Sequence, residues 1–413
     1  MKAIQAKAII GAGYGDEGKG LLTDLMAAAT ADSVIVRSNG GAQAGHTVVT
    51  PDTKRHVFHH VGSGALAGAP THLSAHFVAH PMMLLGEWQV LRGLGANVII
   101  SSDPRAIVTT PFDVMINQAL EMSRGGARHG SCGLGFGETI ERNLRPGFAI
   151  RTVDLFRPDL TARLHRIWSE WLPERLGQLG IAALPGSIAD GLDVDSVIAR
   201  FRMDCEAYLD RVTLWPDSRI AEKGQVIFEA AQGLMLDQTY GAFPHVTRSN
   251  TGLRNMLSIA AEAGIDGIDA TYATRCYATR HGAGPFPHEV GSLDGIAVED
   301  PTNAPNAWQG TLRLAPLDTA VLGEAIAHDL RLAMEAGPTV RASIAVTCLD
   351  QAKAPLAVRD GDTIRRPDPE EAARSIAEDV GLPLFGENWG PCRGHFRVSQ
   401  KSARRRSIAA EHC

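Results

Sequence analysis

The sequence has 413 residues, with 40 Lys and Arg against 46 Asp and Glu for a net charge of -6, so no basic field is available to hold a nucleic-acid duplex by its phosphates. Apolar residues make up 44% and charged residues 21%, which is ordinary globular usage, and no apolar run reaches the ~20 residues that a membrane helix needs. Duplex-binding, membrane-spanning, collagenous and disordered classes are excluded, and at ~150 residues per domain the length fits two or three units or one elaborated α/β domain.

In chain order, AKAII before Gly11 reads as a first strand, and Leu21, Leu22, Leu25 and Met26 then recur at helical spacing. Further β-branched runs follow: SVIV from Ser33, NVII from Asn97, QVIF from Gln225 and ASIAV from Ala342. Strands alternating with helices predict a P-loop-like α/β fold, a largely parallel central sheet flanked by helices. Between Asp154 and Gly224 two helical faces appear, Leu160, Leu164, Ile167, Trp168, Trp171 and Leu172, then Val197, Ile198, Phe201, Cys205, Tyr208 and Leu209, so a helical insertion is expected over about 154–224. No repeat or low-complexity linker divides the chain. Residues 1–396 read as a single domain, and the basic segment RVSQKSARRRSIAAEHC at 397–413 reads as a frayed, disordered tail. His72, His76 and His80 have spacing suited to metal ligands on a helix, but Phe77, Val78 and Pro81 favour a strand there.

Six cysteines, Cys132, Cys205, Cys276, Cys348, Cys392 and Cys413, lack CxxC spacing, so neither a disulfide framework nor a zinc site is legible. Free thiols suit a reducing compartment. The apolar stretch at Ala8–Ile10 is too short for a signal sequence, so a cytoplasmic location is expected.

Two motifs carry chemistry. Gly13 to Lys19 fit GxxxxGK, a loop whose backbone amides and lysine cradle nucleotide phosphates. Gly20 stands where such a loop usually has Ser or Thr, so a carboxylate within it, Asp16 or Glu17, becomes the candidate magnesium ligand. The second motif is RSNGGAQAGHTVV from Arg37 to Val49, where glycines let the backbone approach a ligand and His46 is placed to donate to an oxyanion or phosphate.

GDEGKG followed by GGxxAGHT resembles the adenylosuccinate synthetase family. FEAAQGLMLDQTYGAFPHVTRSNT from Phe228 is similar to the family's FEGAQG…YP.VT.SNT segment, and TRHGAGPFPHE from Thr279 is similar to its TRVGAGPFPTE. GSCGLGFGET at Gly130 is similar to TTGRGIGP, and GPCRGHF at Gly390 is a weaker echo of GPDRxET. The resemblance implies ligation: GTP phosphorylates the 6-oxo oxygen of a purine nucleotide, normally IMP, and the amino group of L-aspartate then displaces phosphate. Asp16 would be general base and, with the carbonyl of Gly45, hold Mg2+; His46 would be general acid, with Lys19 and Gln232 completing the catalytic set. GTP would meet Gly15, Glu17, Gly18, Lys19, Gly20, Gly45, His46 and Thr47. Its guanine would meet Cys348, Leu349 and Asp350, with Asn388, Trp389 and Gly390 closing the pocket. The purine nucleotide would share Asp16, Glu17, Gly18, Lys19, Gly45 and His46, and add Gln43, Ala44, Cys132, Gln232 and Thr247. Arg145 matches an arginine supplied across a homodimer interface. The amino acid would meet Gln309, Gly310, Thr311 and Arg313.

The match fails at several positions. Cys132 replaces Thr, Leu134 replaces Arg, and Cys348 replaces a Lys that flanks guanine. The family's TGRxRR before a (G)WxD turn appears as NAWQGTLRLAPLD from Asn306 to Asp318, leaving Arg313 as its cation. A guanidinium can fork to one carboxylate, so a second carboxylate of aspartate needs another partner, and Arg248 is one candidate. Viral members acting on deoxyguanylate carry Ser in place of the loop carboxylate; Asp16 argues against that substrate. A ligase acting on another 6-oxopurine nucleotide or another amine is one alternative. A GTP-binding regulatory protein is another.

Overall fold

The computed structural model describes residues 3–125, 132–300, 311–334 and 337–399. The strands that matter for the site are β1 (Gln5–Gly11), β2 (Ser33–Arg37), β3 (Thr71–Leu73), β4 (Ile100–Ser102), β5 (Val212–Leu214), β6 (Gln225–Glu229), β7 (Gly267–Arg275), β8 (Thr339–Thr347), β9 (Leu384–Asn388) and β10 (Phe396–Val398). They form one sheet in the order β10, β9, β8, β7, β1, β6, β2, β3, β4, β5. Every neighbouring pair is parallel except β9 with the edge strand β10.

Strand β1 is central and apolar because both of its faces are covered. Ala6, Ala8 and Ile10 point to one core, shared with Leu253, Met256, Leu322, Ile326 and Ile376 of the covering helices. Ile9 points to the other, with Leu21, Leu22 and Met26 of helix α1 (Lys19–Ala28). The carboxyl ends of β1, β2, β6, β7 and β8 therefore share one rim, where ligands bind in sheets of this kind.

The predicted strands are present, with NVII pairing only from Ile100 onward. β3, β5, β7 and β9 carry no run long or apolar enough to single them out. The segment 154–224 is not helical throughout: after helices at Leu160–Arg166, Leu172–Gln178 and Val194–Leu209, Val212–Leu214 joins the sheet as edge strand β5. A π-turn at Ile167–Trp171 lies against Pro173, which cannot donate to the helix ladder. Trp171 is buried in a second core with Phe112, Leu164, Phe201 and Tyr208. His72 lies in β3, where its ring meets Ser101 and Asp217. The tail is described only as far as residue 399, so most of the expectation for 397–413 falls outside the described residues.

Candidate active site

The loop after β1 folds around its own carboxylate. Glu17 accepts from the amides of Gly13 at 3.0 Å and Gly15 at 2.7 Å and from Lys19 Nζ at 3.0 Å. Those two amides are thus not free to cradle a phosphate as the motif predicts. Glu17 fixes the loop instead, and Lys19, with one of its three protons used, keeps donors for an anion. Gly15, Asp16 and Gly18 all have positive φ, at 103°, 62° and 85°. Asp16 bears a Cβ, so this backbone costs roughly 1–2 kcal/mol and holds the carboxylate at the mouth of the loop.

Why Gly20 departs from the usual Ser or Thr is visible in the packing. A Cβ there would lie 2.8 Å from the Thr47 carbonyl and 3.2 Å from His46 Cβ. The first turn of α1 needs a bare backbone so that the strand His46–Val49 can lie against it. Gly20→Ser is expected to displace His46 and lower turnover about 10²-fold, the cost of a displacement near 1 Å at a catalytic group. Turnover within two-fold of wild type, measured by steady-state kinetics, would show that the contact does not position His46.

His46 is held by Glu229 at the end of β6, with Nδ1 2.6 Å from Oε1. Glu229 also accepts from the Ser63 amide at 3.0 Å and from the Ser63 hydroxyl. Arg37 Nη1 lies 3.4 Å from the other carboxylate oxygen, and both side chains are fully buried. The carboxylate fixes the tautomer: Nδ1 carries the proton and Nε2 is presented to the rim. Burial pulls His46 down to about 4; Glu229 opposes that and Arg37 adds to it. Burial alone would raise Glu229, but Arg37, His46 and Ser63 outweigh it and hold the carboxyl at about 2.

Asn39 joins the two loops that carry His46 and Gln232. Its side chain donates to the Ala231 carbonyl at 3.2 Å and accepts from the Ala231 amide at 2.7 Å. Gln232 has a positive φ of 60°. Its Oε1, and both amide atoms of Gln43, are buried with no partner among the described residues. Unpaired buried amides are costly, so these two side chains are set to receive a polar ligand. Ala44 is buried beside them, Gly45 is exposed, and Thr47 and Thr247 are partly buried. Cys132 is partly buried, and burial raises its thiol.

On the other side of the P-loop, Thr347 Oγ1 donates to the Glu17 carbonyl at 3.2 Å, tying the end of β8 to the loop. Cys348 follows with φ 61° and Leu349 is buried. Burial raises the Asp350 carboxyl above its usual range. Asn388 Nδ2 and Trp389 Nε1, at the end of neighbouring β9, are buried without partners among the described residues. Gly390 is required by the approach of His395, whose Nδ1 would lie 2.6 Å from a Cβ.

The expected amino-acid end differs from its prediction. Gln309 and Gly310 lie outside the described residues, and Thr311 is exposed. Arg313 is engaged by the protein: Nε meets Glu289 Oε1 at 2.9 Å, Nη2 meets Oε2 at 2.5 Å, and Nη1 donates to the carbonyls of Gly282 and Gly284. A substrate carboxylate would have to displace Glu289. Arg248 pairs with Glu141. Nearby, a partly open cleft runs beneath Gly13–Gly15, lined by Tyr14, Met235, Phe286, Pro316 and Leu322. Pro316 stands where the family motif has Trp, whose ring would take up such space. Arg145 is half-exposed at the surface and pairs with Glu174 at 2.5 Å.

The family model for adenylosuccinate synthetase matches residues 8–324. The chain belongs to the adenylosuccinate synthetase family. It is 34% identical over 291 residues to the adenylosuccinate synthetase of Synechococcus elongatus, covering 68% of this chain and 62% of that one. With the Myxococcus xanthus enzyme it shares 32% over 294 residues, covering 68% and 65%. The chain thus spans less than two thirds of the length of these relatives. Among solved structures, a fully ligated adenylosuccinate synthetase from Plasmodium falciparum superposes with a TM-score of 0.73 at 17% identity, covering 96% of this chain and all of that one. A cyanophage S-2L succinoaminodeoxyadenylate synthetase bound to dGMP and dATP superposes with a TM-score of 0.62 at 17% identity over the full length of both. Both share this α/β fold.

Within this adenylosuccinate synthetase fold, the structure brings Asp16, Lys19, His46, Gln43 and Gln232 to one rim. It adds Arg37, Ser63 and Glu229, which sequence reasoning passed over. Glu229 left a signal as the acid of FEAAQG and Arg37 as the first residue of RSNGGAQAGHTVV, whereas Ser63 left none. For Mg2+, the partly exposed Asp16 carboxylate and the exposed Gly45 backbone are hard oxygen donors. One carboxylate with a carbonyl suits an ion that keeps waters and takes its other ligands from phosphates.

Proposed function

We propose that the protein is a GTP-dependent ligase joining L-aspartate to C6 of IMP, giving adenylosuccinate, GDP and phosphate, and that it works as a cytoplasmic homodimer completed by Arg145. The observation that carries this reading is the His46–Glu229 pair facing a P-loop that presents Asp16, because a protein that only sensed GTP would need no base and acid aimed at a second nucleotide. Asp16 takes the proton from purine N1, so that negative charge reaches O6. O6 attacks the γ-phosphorus while His46, held by Glu229, meets the charge that develops there. The incoming phosphate favours the charged imidazole that burial disfavours in the free protein. The substrate amine then adds to C6, and O6 departs as phosphate. Mg2+, held by Asp16 and the Gly45 carbonyl, would neutralise phosphate charge. The unpaired amide of Gln43 and the unpaired amide oxygen of Gln232 suit the purine nucleotide.

A second reading keeps the chemistry and changes the substrates: another 6-oxopurine nucleotide, such as GMP or dGMP, or another amine. The engagement of Arg313 by Glu289 favours a change of amine. The test is to incubate pure protein with GTP, Mg2+, aspartate and each of IMP, dIMP, GMP and dGMP, identifying products by mass. Phosphate release requiring all components is expected. Equal GTP hydrolysis with purine nucleotide and amino acid omitted would contradict both readings.

Guanine choice supplies a further expectation. Asp350 can accept from both the ring N–H and the amino group of guanine. Asp350→Asn turns one acceptor into a donor, so kcat/KM for GTP should fall about 10-fold or more relative to ATP. An unchanged GTP to ATP ratio would place guanine recognition elsewhere.

A further inference from the structure

The corner between the P-loop and Arg313 is crowded with cations that are already used. Arg275 donates to the Asp16 carbonyl at 2.5 Å, to Tyr277 at 3.1 Å and to Asp300 at 2.6 Å. Arg280 gives both Nη groups to the carbonyls of Pro285, His245 and Ala283, leaving a single Nε, buried without a partner among the described residues, and no fork. Arg313 is spent on Glu289 and two carbonyls. A carboxylate brought here would find no guanidinium with a free fork among the described residues of this corner.

His281 is different. It follows the short strand Ala278–Arg280, in which Arg280 is the direct cross-strand partner of Arg313. Its Nε2 lies 3.7 Å from Asp16 Oδ2, outside hydrogen-bond range, and its side chain is 16% exposed. Both ring nitrogens are buried with no partner among the described residues. An imidazole carries an N–H in either neutral tautomer, so a donor is available here without any change of charge. Leaving such a buried group without a hydrogen bond is costly, and a ligand would recover that cost.

Sheet order says which ligand. Gln43, His46 and Gln232 reach the rim from the loops after β2 and β6, on one side of β1. His281 comes from the segment after β7, on the opposite side, and meets Asp16 from there. The nucleotide-facing groups and His281 thus flank the same carboxylate.

We infer that His281 is a substrate-binding residue that donates a hydrogen bond to the carboxylate of the amine substrate, an amino acid, in place of a free arginine. This deepens the ligase reading and rests on it. In the family motif this position is Val, which cannot donate.

The test compares His281→Val with His281→Gln in the full chain. His281→Val should raise the KM for L-aspartate by about 10-fold or more, the worth of a hydrogen bond to a charged group. The KM values for GTP and IMP should stay within about two-fold, and His281→Gln, which keeps a donor, should recover most of the loss. A rise confined to the KM of the purine nucleotide, or no change at all, would overturn the assignment. A second readout does not need turnover. In protein carrying 15N-labelled histidine, the imidazole resonance that vanishes in His281→Val should move when L-aspartate or L-alanine is added to protein already holding IMP, GDP and Mg2+. A resonance that responds to the nucleotides and to neither amino acid would overturn the inference, even if the wild type forms no product and the ligase reading itself has failed.

Discussion

His46→Ala is expected to slow ligation by ~10²–10⁴-fold, the range for a positioned acid–base group, with the fold retained. The buried ring is held at its Nδ1 edge, 2.6 Å from Glu229 and 3.3 Å from Arg37 Nη1, while Nε2 makes no hydrogen bond within the described residues. What disappears is the donor facing the transferred phosphate. Asp16→Asn, which keeps the volume of the side chain but cannot take a proton, should fall in the same range. Single-turnover rates with saturating substrates check both. A near-wild-type rate in either variant would remove that residue from proton transfer.

Glu229→Gln should have a double effect. The amide cannot fix the His46 tautomer as the carboxylate does, so turnover should fall by ~10²–10⁴-fold, as for other residues that orient a catalytic histidine. It also leaves the fully buried Arg37 guanidinium without its counter-charge, and breaking a buried pair from one side costs roughly 3–5 kcal/mol. Denaturant unfolding reads that loss. The pH dependence carries the sign. Burial opposes ionisation of Glu229, but Arg37, His46 and Ser63 prevail and hold it at about 2, below its ordinary 4.5. Its contribution to stability is complete above the unfolded value and is lost as pH falls from 4.5 towards 2. The wild type should therefore lose stability over that window more steeply than the variant. Parallel curves would show that Glu229 is not the ionised partner of Arg37.

How much of this was legible in the sequence depends on the range of the interactions. The strands β1, β2, β6 and β8 announce themselves because both faces are buried, which demands unbroken β-branched or small apolar runs. β3, β5 and β9 are short and are defined by their neighbours in the sheet. The P-loop was legible from spacing, but its reshaping by Glu17 was not, since a carboxylate in such a loop could as well face a metal. Gly20 looked like a missing ligand and is a packing requirement, set by His46 from 26 residues further along the chain. Glu229 sits 183 residues from His46, and only the parallel pairing of β6 beside β1 and β2 brings it home. Arg313 looked like a free cation because Glu289 meets it only through the hairpin of Ala278–Arg280 with Arg313–Ala315. His281, one letter within a quoted motif, acquires meaning only from its place beside Asp16, with both ring nitrogens buried and without a hydrogen bond among the described residues.

The central claim is that the oxygen on C6 of the purine leaves as phosphate. IMP labelled with 18O at the 6-oxo position, incubated with the protein, GTP, Mg2+ and L-aspartate, tests it most directly through the mass of the phosphate released. One atom of 18O in each phosphate, with none remaining in the purine product, is the expected result. Unlabelled phosphate accompanied by IMP that keeps its label would show that GTP is hydrolysed by water, and would contradict a ligase mechanism for this chain.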